Sequence, residues 1–162
     1  MKVFITGGAG FIGIHLCKKL LLQNHDVTIY DNFENSSQEH FTSTFKHKVT
    51  IIPGDITHYS SLVSAMKSHD VVIHLAAITD ATASINNPIK VEEVNYIGTE
   101  RVATACANTN TALIFPSTTS VYGSTNAIID EDCTELNPQS PYAESKIQAE
   151  QLLIDMGEKN GL

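Results

Sequence analysis

A glycine-rich segment at residues 6–13, Thr-Gly-Gly-Ala-Gly-Phe-Ile-Gly, lies between an apolar run and an amphipathic stretch. The run at residues 2–5 has the length of a buried parallel strand. The stretch at residues 11–24 repeats its apolar residues at helical spacing. A strand, a glycine turn and a helix in this order form the context in which such glycines indicate a dinucleotide-binding turn.

Three glycines of the segment have separate roles in this prediction. Gly7 takes the tight turn after the strand, Gly10 leaves room for a pyrophosphate beside the backbone, and Gly13 lets the helix pack closely against the strand. The helix N-terminus, with unpaired N–H groups and a partial positive charge, then faces the phosphates. An accidental glycine-rich turn is the alternative, and the residues that follow decide between the two.

The composition is typical of an ordinary globular domain. The 162 residues are 42% apolar and 17% charged, which suits one domain with its own core. The formal net charge of −8 disfavours nucleic acid and anionic membrane as partners, and no apolar run is long enough to span a bilayer. The seven histidines show no metal-ligand spacing, so we expect no metal site.

The cysteines and the start of the chain bear on the compartment. The cysteines lack paired spacing, which disfavours a disulfide framework and favours a reducing environment; they are Cys17, Cys106 and Cys133. Because the first strand begins at residue 2, we expect no cleavable signal. These observations predict a cytoplasmic protein.

Strand and helix patterns alternate along the whole chain. This alternation predicts an α/β fold with a doubly wound parallel sheet covered by helices on both faces, the Rossmann fold, with strand order 3-2-1-4-5. Residues 32–47 are polar and predict a loop or a broken helix over the sheet edge. Beyond the first strand and helix, we expect strands at residues 27–30, 49–52, 70–77 and 112–116 and helices at residues 60–68, 88–107 and 140–158.

An acidic residue ends the second predicted strand. Asp31 lies 18 positions after Gly13, where a carboxylate can accept both adenosine ribose hydroxyls and would repel the 2′-phosphate of NADP. The position therefore predicts NAD as cofactor, although an aspartate that caps a loop is the alternative.

Two further strand ends fit the same cofactor. Asp55 and Ile56 follow the third strand and could bond and cover the adenine, although an ordinary turn aspartate fits them nearly as well. Leu75, Ala76 and Ala77 end the fourth strand with small residues that let a cofactor lie close over the sheet. Any buried strand end also has this character.

Tyr142 and Lys146 are four residues apart in the last predicted helix. This spacing puts them on one helix face, about 6 Å apart, and Pro141 suits the first helical turn. An ammonium near a phenol stabilises the phenolate, so the tyrosine becomes a usable acid or base. The hydroxyl-rich residues 117–123 follow the fifth strand, where doubly wound folds place their ligands. Such a pair alone is common on solvated helices, and its order after the glycine turn gives it weight.

With these motifs the chain resembles the extended short-chain dehydrogenase/reductases, and among them the NAD-dependent nucleotide-sugar epimerase/dehydratase family in its UDP-glucose 4-epimerase-like branch. The resemblance spans nearly the whole chain in the family's order. The matching segments are residues 6–13, Asp31-Asn32, Asn35-Ser36, Asp55-Ile56, 74–77, Asn95 within Asn-x-x-Gly-Thr, 117–123 and 138–146.

The resemblance implies NAD as cofactor, a nucleotide sugar as substrate, and 4-epimerisation through a transient 4-keto sugar. It makes Thr118 the catalytic hydroxyl, Tyr142 the acid/base and Lys146 its partner, which also holds the nicotinamide ribose. The residues that it places against the cofactor, or in the ordering of its site, are Gly7, Gly10, Phe11, Ile12, Gly13, Asp31, Asn32, Asn35, Ser36, Asp55, Ile56, Leu75, Ala76, Ala77, Asn95, Tyr142 and Lys146.

The chain departs from the family pattern in two ways. Dehydratases of the family carry Asp-Glu directly after the catalytic threonine, where this chain has Thr119 and Ser120, so an epimerase-like reaction is favoured. Family members also continue into further strands and a C-terminal substrate domain. We therefore expect residues 1–162 to be the NAD-binding Rossmann domain, truncated at Gly161-Leu162 before the sixth strand, with the substrate domain absent.

Other readings remain open. A non-catalytic NAD-binding or interaction module is the rival class, and another activity of the family, as dehydratase, decarboxylase or reductase, is the rival within it. The apolar fifth strand would lie unpaired at a sheet edge, which invites association. In the family the helices predicted at residues 88–107 and 140–158 commonly build a dimer, so we expect a homodimer or higher homo-oligomer.

Overall fold

A computed structural model describes residues 1–46, 48–125, 128–130 and 132–160. Within these ranges five parallel strands form one sheet in the order β3-β2-β1-β4-β5. The predicted fold class and strand order are confirmed. The strands are β1 (Lys2–Thr6), β2 (Asp26–Asp31), β3 (Thr50–Pro53), β4 (Val71–His74) and β5 (Ala112–Ile114).

Helices connect the strands and cover the sheet. They are α1 (Phe11–Leu22), α2 (Gln38–Phe45), α3 (Tyr59–Met66), α4 (Ala81–Asn86), α5 (Pro88–Val91), a π-helical segment (Glu92–Ile97), α6 (Gly98–Thr109), a 3₁₀ turn (Thr119–Tyr122) and α7 (Pro141–Asn160). Among the described residues no helix has the length and apolarity that a bilayer span requires.

The sheet is buried on both faces near its centre. Val3 and Ile5 of β1 pack with Cys17 of α1 and Phe41 of α2 on one face. Phe4, between them in sequence, packs on the other face with residues of α3 and α6. Successive side chains of a strand point to opposite faces, so a strand buried on both sides is apolar throughout. That property made the strands predictable.

The helix predicted at residues 88–107 is interrupted. The N–H of Gly98 bonds to the carbonyl of Glu93, five residues earlier, which is the π-helical pattern. The prediction of one continuous helix did not include such a turn, in which one extra residue shifts the later apolar repeat by a single position. Single π turns occur often at functional sites, and this one carries the buried side chain of Asn95.

Two short helices complete the fold: α2 agrees with the loop or broken helix predicted over residues 32–47, and α4 was not predicted. Within residues 32–47 the chain forms α2, whose first turn is capped by Ser37 and which buries Phe41 and Phe45 with ring centroids 4.5 Å apart. His47 lies outside the described residues. Helix α4 was not predicted, because it depends on the Asp80 cap, whose carboxylate accepts the Ala83 N–H at 2.9 Å, and has no long apolar repeat.

Candidate functional site

The glycine turn joins β1 to α1 at the carboxyl edge of the sheet. Gly7 has φ +66°, and a Cβ added there would lie 2.6 Å from the backbone nitrogen of Ala76. Both the conformation and the space therefore require glycine at this position. A Cβ on Gly13 would overlap the backbone of Gly8, so the close approach predicted for Gly13 is made to the turn rather than to the strand.

Gly10 differs from these two glycines because the chain leaves it free. It is exposed, and an added Cβ would meet within 4 Å only the Gly7 carbonyl oxygen, at 3.3 Å. Gly10 is also the N-cap of α1, with no side chain to bond the first N–H groups. Beside it Phe11 is 81% and Ile12 63% exposed. An open helix N-terminus flanked by bare apolar side chains fits an anionic ligand that carries apolar groups.

The carboxylate of Asp31 ties the glycine turn to the loop after β2. One oxygen accepts the N–H of Ala9 at 3.0 Å and the other accepts the N–H of Phe33 at 2.8 Å. The Ser36 hydroxyl lies 3.5 Å from the second oxygen, and Asn35 is exposed nearby in sequence. Each carboxylate oxygen has two acceptor sites, so Asp31 keeps capacity for a ligand hydroxyl.

Asp55 forms a second acidic position along the same edge. Its carboxylate accepts the side-chain N–H of Asn32 at 3.1 Å and the backbone N–H of Thr57 at 2.8 Å. Burial alone would raise the pKa of Asp55, but these hydrogen bonds and the charge of His58 outweigh it, so the pKa lies below its ordinary value. Ile56, in contrast, is buried in the core beside Gly98, so its backbone rather than its side chain is what a ligand could reach.

The end of β4 lies beside the glycine turn at the carboxyl edge of the sheet. Leu75 donates its N–H to the Thr6 carbonyl at 3.0 Å, and Ala76 donates its N–H to the Thr6 hydroxyl at 3.3 Å. Leu75, Ala76 and Ala77 are half-buried. The structure therefore brings the glycine turn and the end of β4 into direct contact, as the family resemblance implies.

The three residues predicted to be catalytic approach the end of β5. Thr118 caps the 3₁₀ turn: its hydroxyl accepts the N–H of Ser120 at 3.2 Å and donates to the Ser120 hydroxyl at 3.1 Å. Tyr142 is the second residue of α7, which packs against that turn. Lys146 follows one helical turn later, only 6% exposed.

The ammonium of Lys146 is held inside the protein. It donates to the Pro116 carbonyl at 3.0 Å and lies 4.2 Å from the centre of the Phe115 ring. Burial lowers the pKa of Lys146 to about 8, although the charge of Glu150 opposes the shift. Among the described residues no carboxylate bonds to Lys146, and a lysine buried this deeply without one is costly and rare; such groups concentrate at functional sites.

A buried polar chain lies behind the site, and of its members the sequence predicted a role only for Asn95, which the resemblance placed in the ordering of the cofactor site. His74 lies at the end of β4 and is 1% exposed; it bonds to Thr6 and to Thr99, and Asn95 bonds to Ile78 and Ser145. The one signal in the sequence is a histidine within an otherwise apolar strand. Its partners are far away along the chain, so no local pattern could identify them.

Comparison with known proteins gives this arrangement a context. The model of the NAD dependent epimerase/dehydratase family matches residues 3–162. The chain is 39% identical over 131 residues to UDP-N-acetyl-alpha-D-glucosaminuronate decarboxylase of Bacillus cytotoxicus, covering 81% of this chain and 40% of the relative. It is 34% identical over 170 aligned positions to UDP-glucose 4-epimerase of Erwinia amylovora, covering 99% of this chain and 50% of the relative.

Solved structures are also similar to this chain in fold and in sequence. An X-ray structure of Pal from Bacillus thuringiensis has a TM-score of 0.93 at 35% identity, covering all of this chain and 53% of that one. UDP-glucose 4-epimerase from Brucella ovis, solved in complex with NAD, has a TM-score of 0.90 at 32% identity, covering 99% and 49%. The chain thus spans about half the length of these relatives.

Proposed function

The chain belongs to the NAD-dependent epimerase/dehydratase family, and from this membership we propose that residues 1–162 form the NAD-binding Rossmann domain of an enzyme that inverts carbon 4 of a nucleotide sugar. In this proposal the substrate domain lies outside these residues, in keeping with relatives of which the chain spans about half. Dehydration is disfavoured because Thr119 and Ser120, directly after Thr118, carry no carboxylate.

One observation carries the proposal. The ammonium of Lys146 is buried at the end of β5, one helical turn after Tyr142, on a helix that packs against the Thr118 turn. Burying this charge costs free energy that the Pro116 carbonyl and the Phe115 ring offset only in part, since the pKa of Lys146 is still lowered to about 8. Proton transfer at a sugar hydroxyl needs a phenol whose ionised form a cation stabilises, and Lys146 supplies a cation one helical turn after Tyr142.

The carboxyl edge fits NAD on the same grounds. The open N-terminus of α1 suits the pyrophosphate, since Gly10 has no side chain and no packing demand of its own. Asp31 offers acceptors to the ribose hydroxyls and repels a 2′-phosphate. NAD, when bound, supplies the acceptor and donor of hydride for the reaction. The other residues that we propose to contact it or to order its site are Gly7, Phe11, Ile12, Gly13, Asn32, Asn35, Ser36, Asp55, Ile56, Leu75, Ala76, Ala77, Asn95, Tyr142 and Lys146.

Three side chains would take part in proton transfer at the sugar oxygen. The Tyr142 phenolate would take the proton of the 4′-hydroxyl as that carbon is oxidised to a ketone, and the resulting phenol would return the proton after the sugar has turned over. The Thr118 hydroxyl bonds the same oxygen, for which it must rotate away from Ser120. The charge of Lys146 stabilises the Tyr142 phenolate during the step.

Decarboxylation is a second candidate, favoured by the 39% identity to the decarboxylase of Bacillus cytotoxicus. A ketone at carbon 4 of a nucleotide uronic acid makes the carboxylate at carbon 5 a good leaving group, because the electron pair left behind is stabilised by the neighbouring ketone. The same proton-handling residues therefore serve either outcome. The substrate, and not these residues, would decide between them.

The proposal is tested on the product of the full gene, supplied with UDP-hexoses and, separately, UDP-hexuronic acids. We expect interconversion of 4-epimers, detected by chromatography. Replacing Tyr142 with Phe should lower turnover by about 10²- to 10⁴-fold with unchanged folding. The matched control is Tyr59→Phe, a surface tyrosine on α3, which should leave turnover unchanged.

Each alternative has its own outcome in this assay. Release of carbon dioxide from the hexuronic acid without epimers would replace the epimerase by the decarboxylase. A Tyr142→Phe enzyme within a few-fold of wild type would refute the role of the tyrosine. NAD binding with no turnover of any sugar nucleotide would favour a non-catalytic module.

A further inference from the structure

A chain of buried hydrogen bonds crosses the domain behind the cofactor edge. It starts at the Ala76 N–H, which donates to the Thr6 hydroxyl at 3.3 Å. The Thr6 hydroxyl lies 2.6 Å from Nδ1 of His74, and Nε2 of His74 lies 3.0 Å from the Thr99 hydroxyl. Thr99 in turn donates to the Asn95 carbonyl at 2.6 Å.

The partners determine which nitrogen of His74 carries the proton. The Asn95 carbonyl can only accept, so the single hydroxyl hydrogen of Thr99 is committed to it. The Thr99 oxygen must then accept from His74, which places the hydrogen on Nε2. The bare Nδ1 accepts the Thr6 hydroxyl hydrogen, whose oxygen accepts from Ala76. Every donor and acceptor of this chain is matched by one tautomer of the neutral ring and by no other.

A protonated ring would break the match. Nδ1 would then carry a hydrogen aimed at Thr6, whose own hydrogen would lose its acceptor in a fully buried place. Burial and the charge of Lys146 lower the pKa of His74 to about 3, so the neutral ring persists through the working pH range.

The chain continues from Asn95 to the helix that carries the proposed acid/base. The Asn95 side chain accepts the Ile78 N–H at 2.8 Å and donates to the Ser145 hydroxyl at 3.0 Å. Ser145 donates to the Tyr142 carbonyl at 2.7 Å. The π-helical segment is the element that turns Asn95 into this place.

From this connectivity we propose that His74, as its Nε2–H tautomer, is a positioning residue that fixes the glycine turn and the end of β4 relative to Tyr142 on α7. The inference rests on the proposed function and deepens it. His74 contacts neither cofactor nor substrate and acts through Thr6 on one side and through Thr99, Asn95 and Ser145 on the other. If these hydrogen bonds were broken, the Gly7 backbone, which packs on Ala76, would shift relative to α7.

The test measures two properties of the protein separately: the tautomer of the His74 ring and the affinity of the cofactor site for NAD. Imidazole ¹⁵N NMR of the wild type should show His74 neutral with its hydrogen on Nε2, unchanged from pH 5 to 9. Thr99→Val is isosteric and removes the hydroxyl, whereas Thr99→Ser keeps it. We expect Thr99→Val to weaken NAD binding about tenfold in calorimetry, which corresponds to about 1.4 kcal/mol, and to disturb the tautomer. Thr99→Ser should restore both.

A second variant breaks the series of hydrogen bonds at its other end, at Ser145. Ser145→Ala should also weaken NAD binding several-fold, whereas Ser140→Ala, which removes another hydroxyl from the start of the same helix, should not. If Thr99→Val fails to fold, the NAD affinities of Ser145→Ala and Ser140→Ala and the tautomer of His74 in the wild type decide whether the inference holds. A ring with its hydrogen on Nδ1, or folded Thr99→Val and Ser145→Ala with wild-type NAD affinity, would overturn the inference alone. A wild type that does not bind NAD would overturn the proposed function and this inference with it.

Discussion

Asp31 shows how one side chain can serve both the fold and a ligand. Its two oxygens accept N–H groups from the glycine turn and from the loop after β2, so the position predicted from the sequence as a ribose contact is also a structural tie. The alternative of a loop-capping aspartate therefore describes part of what Asp31 does. The ligand role that we propose is compatible with this tie, because the oxygen that accepts the Ala9 N–H keeps a second acceptor site.

This dual role leads to a prediction on cofactor choice. The wild type should bind NAD more tightly than NADP, because a 2′-phosphate would meet the Asp31 carboxylate. Asp31→Asn should narrow that preference while keeping one acceptor oxygen for the turn. Calorimetric titration of both cofactors measures it, with Asp26→Asn, at the exposed start of the same strand, as control. Equal or tighter binding of NADP by the wild type would disprove the assignment.

Lys146 leads to a prediction on stability and pH. Its pKa in the folded chain is about 8, against an ordinary value of 10.5, so between these pH values the unfolded chain holds a proton that the folded chain has released. The contribution of Lys146 to stability should therefore rise with pH across this window and carry the full penalty below it. The comparison with a variant isolates this contribution, because burial raises the pKa of the Cys17 and Cys106 thiols to about 12 and lowers the stability of both proteins above pH 9. Lys146→Met should remove the rise and increase the free energy of unfolding at pH 7, by on the order of 1 kcal/mol.

The measurement is urea unfolding from pH 6 to 10.5, with wild type and variant compared at each pH. Lys18→Met, at an exposed position of α1, is the control and should reproduce the wild-type slope. Parallel curves for wild type and Lys146→Met would show that the ammonium is not held in a desolvated place.

Among single residues, what could be predicted from the sequence was what local spacing encodes. Tyr142 and Lys146 are one helical turn apart, and Asp31 lies at a fixed distance after the glycine turn. His74 was given no role in the site, since its partners Thr6 and Thr99 are 68 and 25 positions away. Hydrogen bonds across such distances depend on the tertiary fold, and no periodicity records them.

At the scale of elements, the turn between β1 and α1 separates two uses of glycine. Gly13 is required by packing, because a Cβ there would overlap the backbone of Gly8, whereas a Cβ on Gly10 would meet only the Gly7 carbonyl oxygen, at 3.3 Å. The sequence predicted both as parts of one motif without saying which served the fold. The interrupted helix around Asn95 shows a second limit of the sequence prediction. The sequence predicted one continuous helix, and the π turn adds one residue that this prediction did not include.

These two glycines predict opposite effects of the same substitution. Gly13→Ala should destabilise the folded chain by about 1–3 kcal/mol, because α1 must move away from the turn. Gly10→Ala should cost less stability, about 0.5–1 kcal/mol, because alanine is a poorer N-cap than glycine, and it should weaken NAD binding at least tenfold, since the methyl group would lie at the proposed pyrophosphate site. Thermal unfolding and calorimetry on both variants measure this, and each serves as the other's control. Unchanged NAD affinity in Gly10→Ala would contradict the placement of the phosphates.

At the scale of the whole molecule, the described part of the sheet ends in an unpaired strand. β5 pairs with β4 and with no other described strand, and Ile114 on it is 53% exposed. The apolar run that predicted a buried strand thus lies at an edge with free backbone N–H and C=O groups. Residues Gly161 and Leu162, where the sequence suggested that a sixth strand would begin, lie outside the described residues. Since α6 and α7 also pack side by side, the domain offers two surfaces for association.

We therefore expect residues 1–162 to form a homodimer or higher homo-oligomer, with weakened NAD binding and very low epimerase activity. An unpaired apolar edge recruits another chain unless a charge blocks it, so Ile114→Lys should shift the oligomer toward monomer if β5 is the contact. Ile154→Lys, at an exposed position of α7, should do so if the helix pair is the contact. Leu22→Lys, at the exposed end of α1, which belongs to neither surface, is the control and should leave association unchanged. Sedimentation velocity on the four proteins separates these cases, and a monodisperse wild-type monomer that turns over a sugar nucleotide at ordinary rates would show that the edge needs no partner.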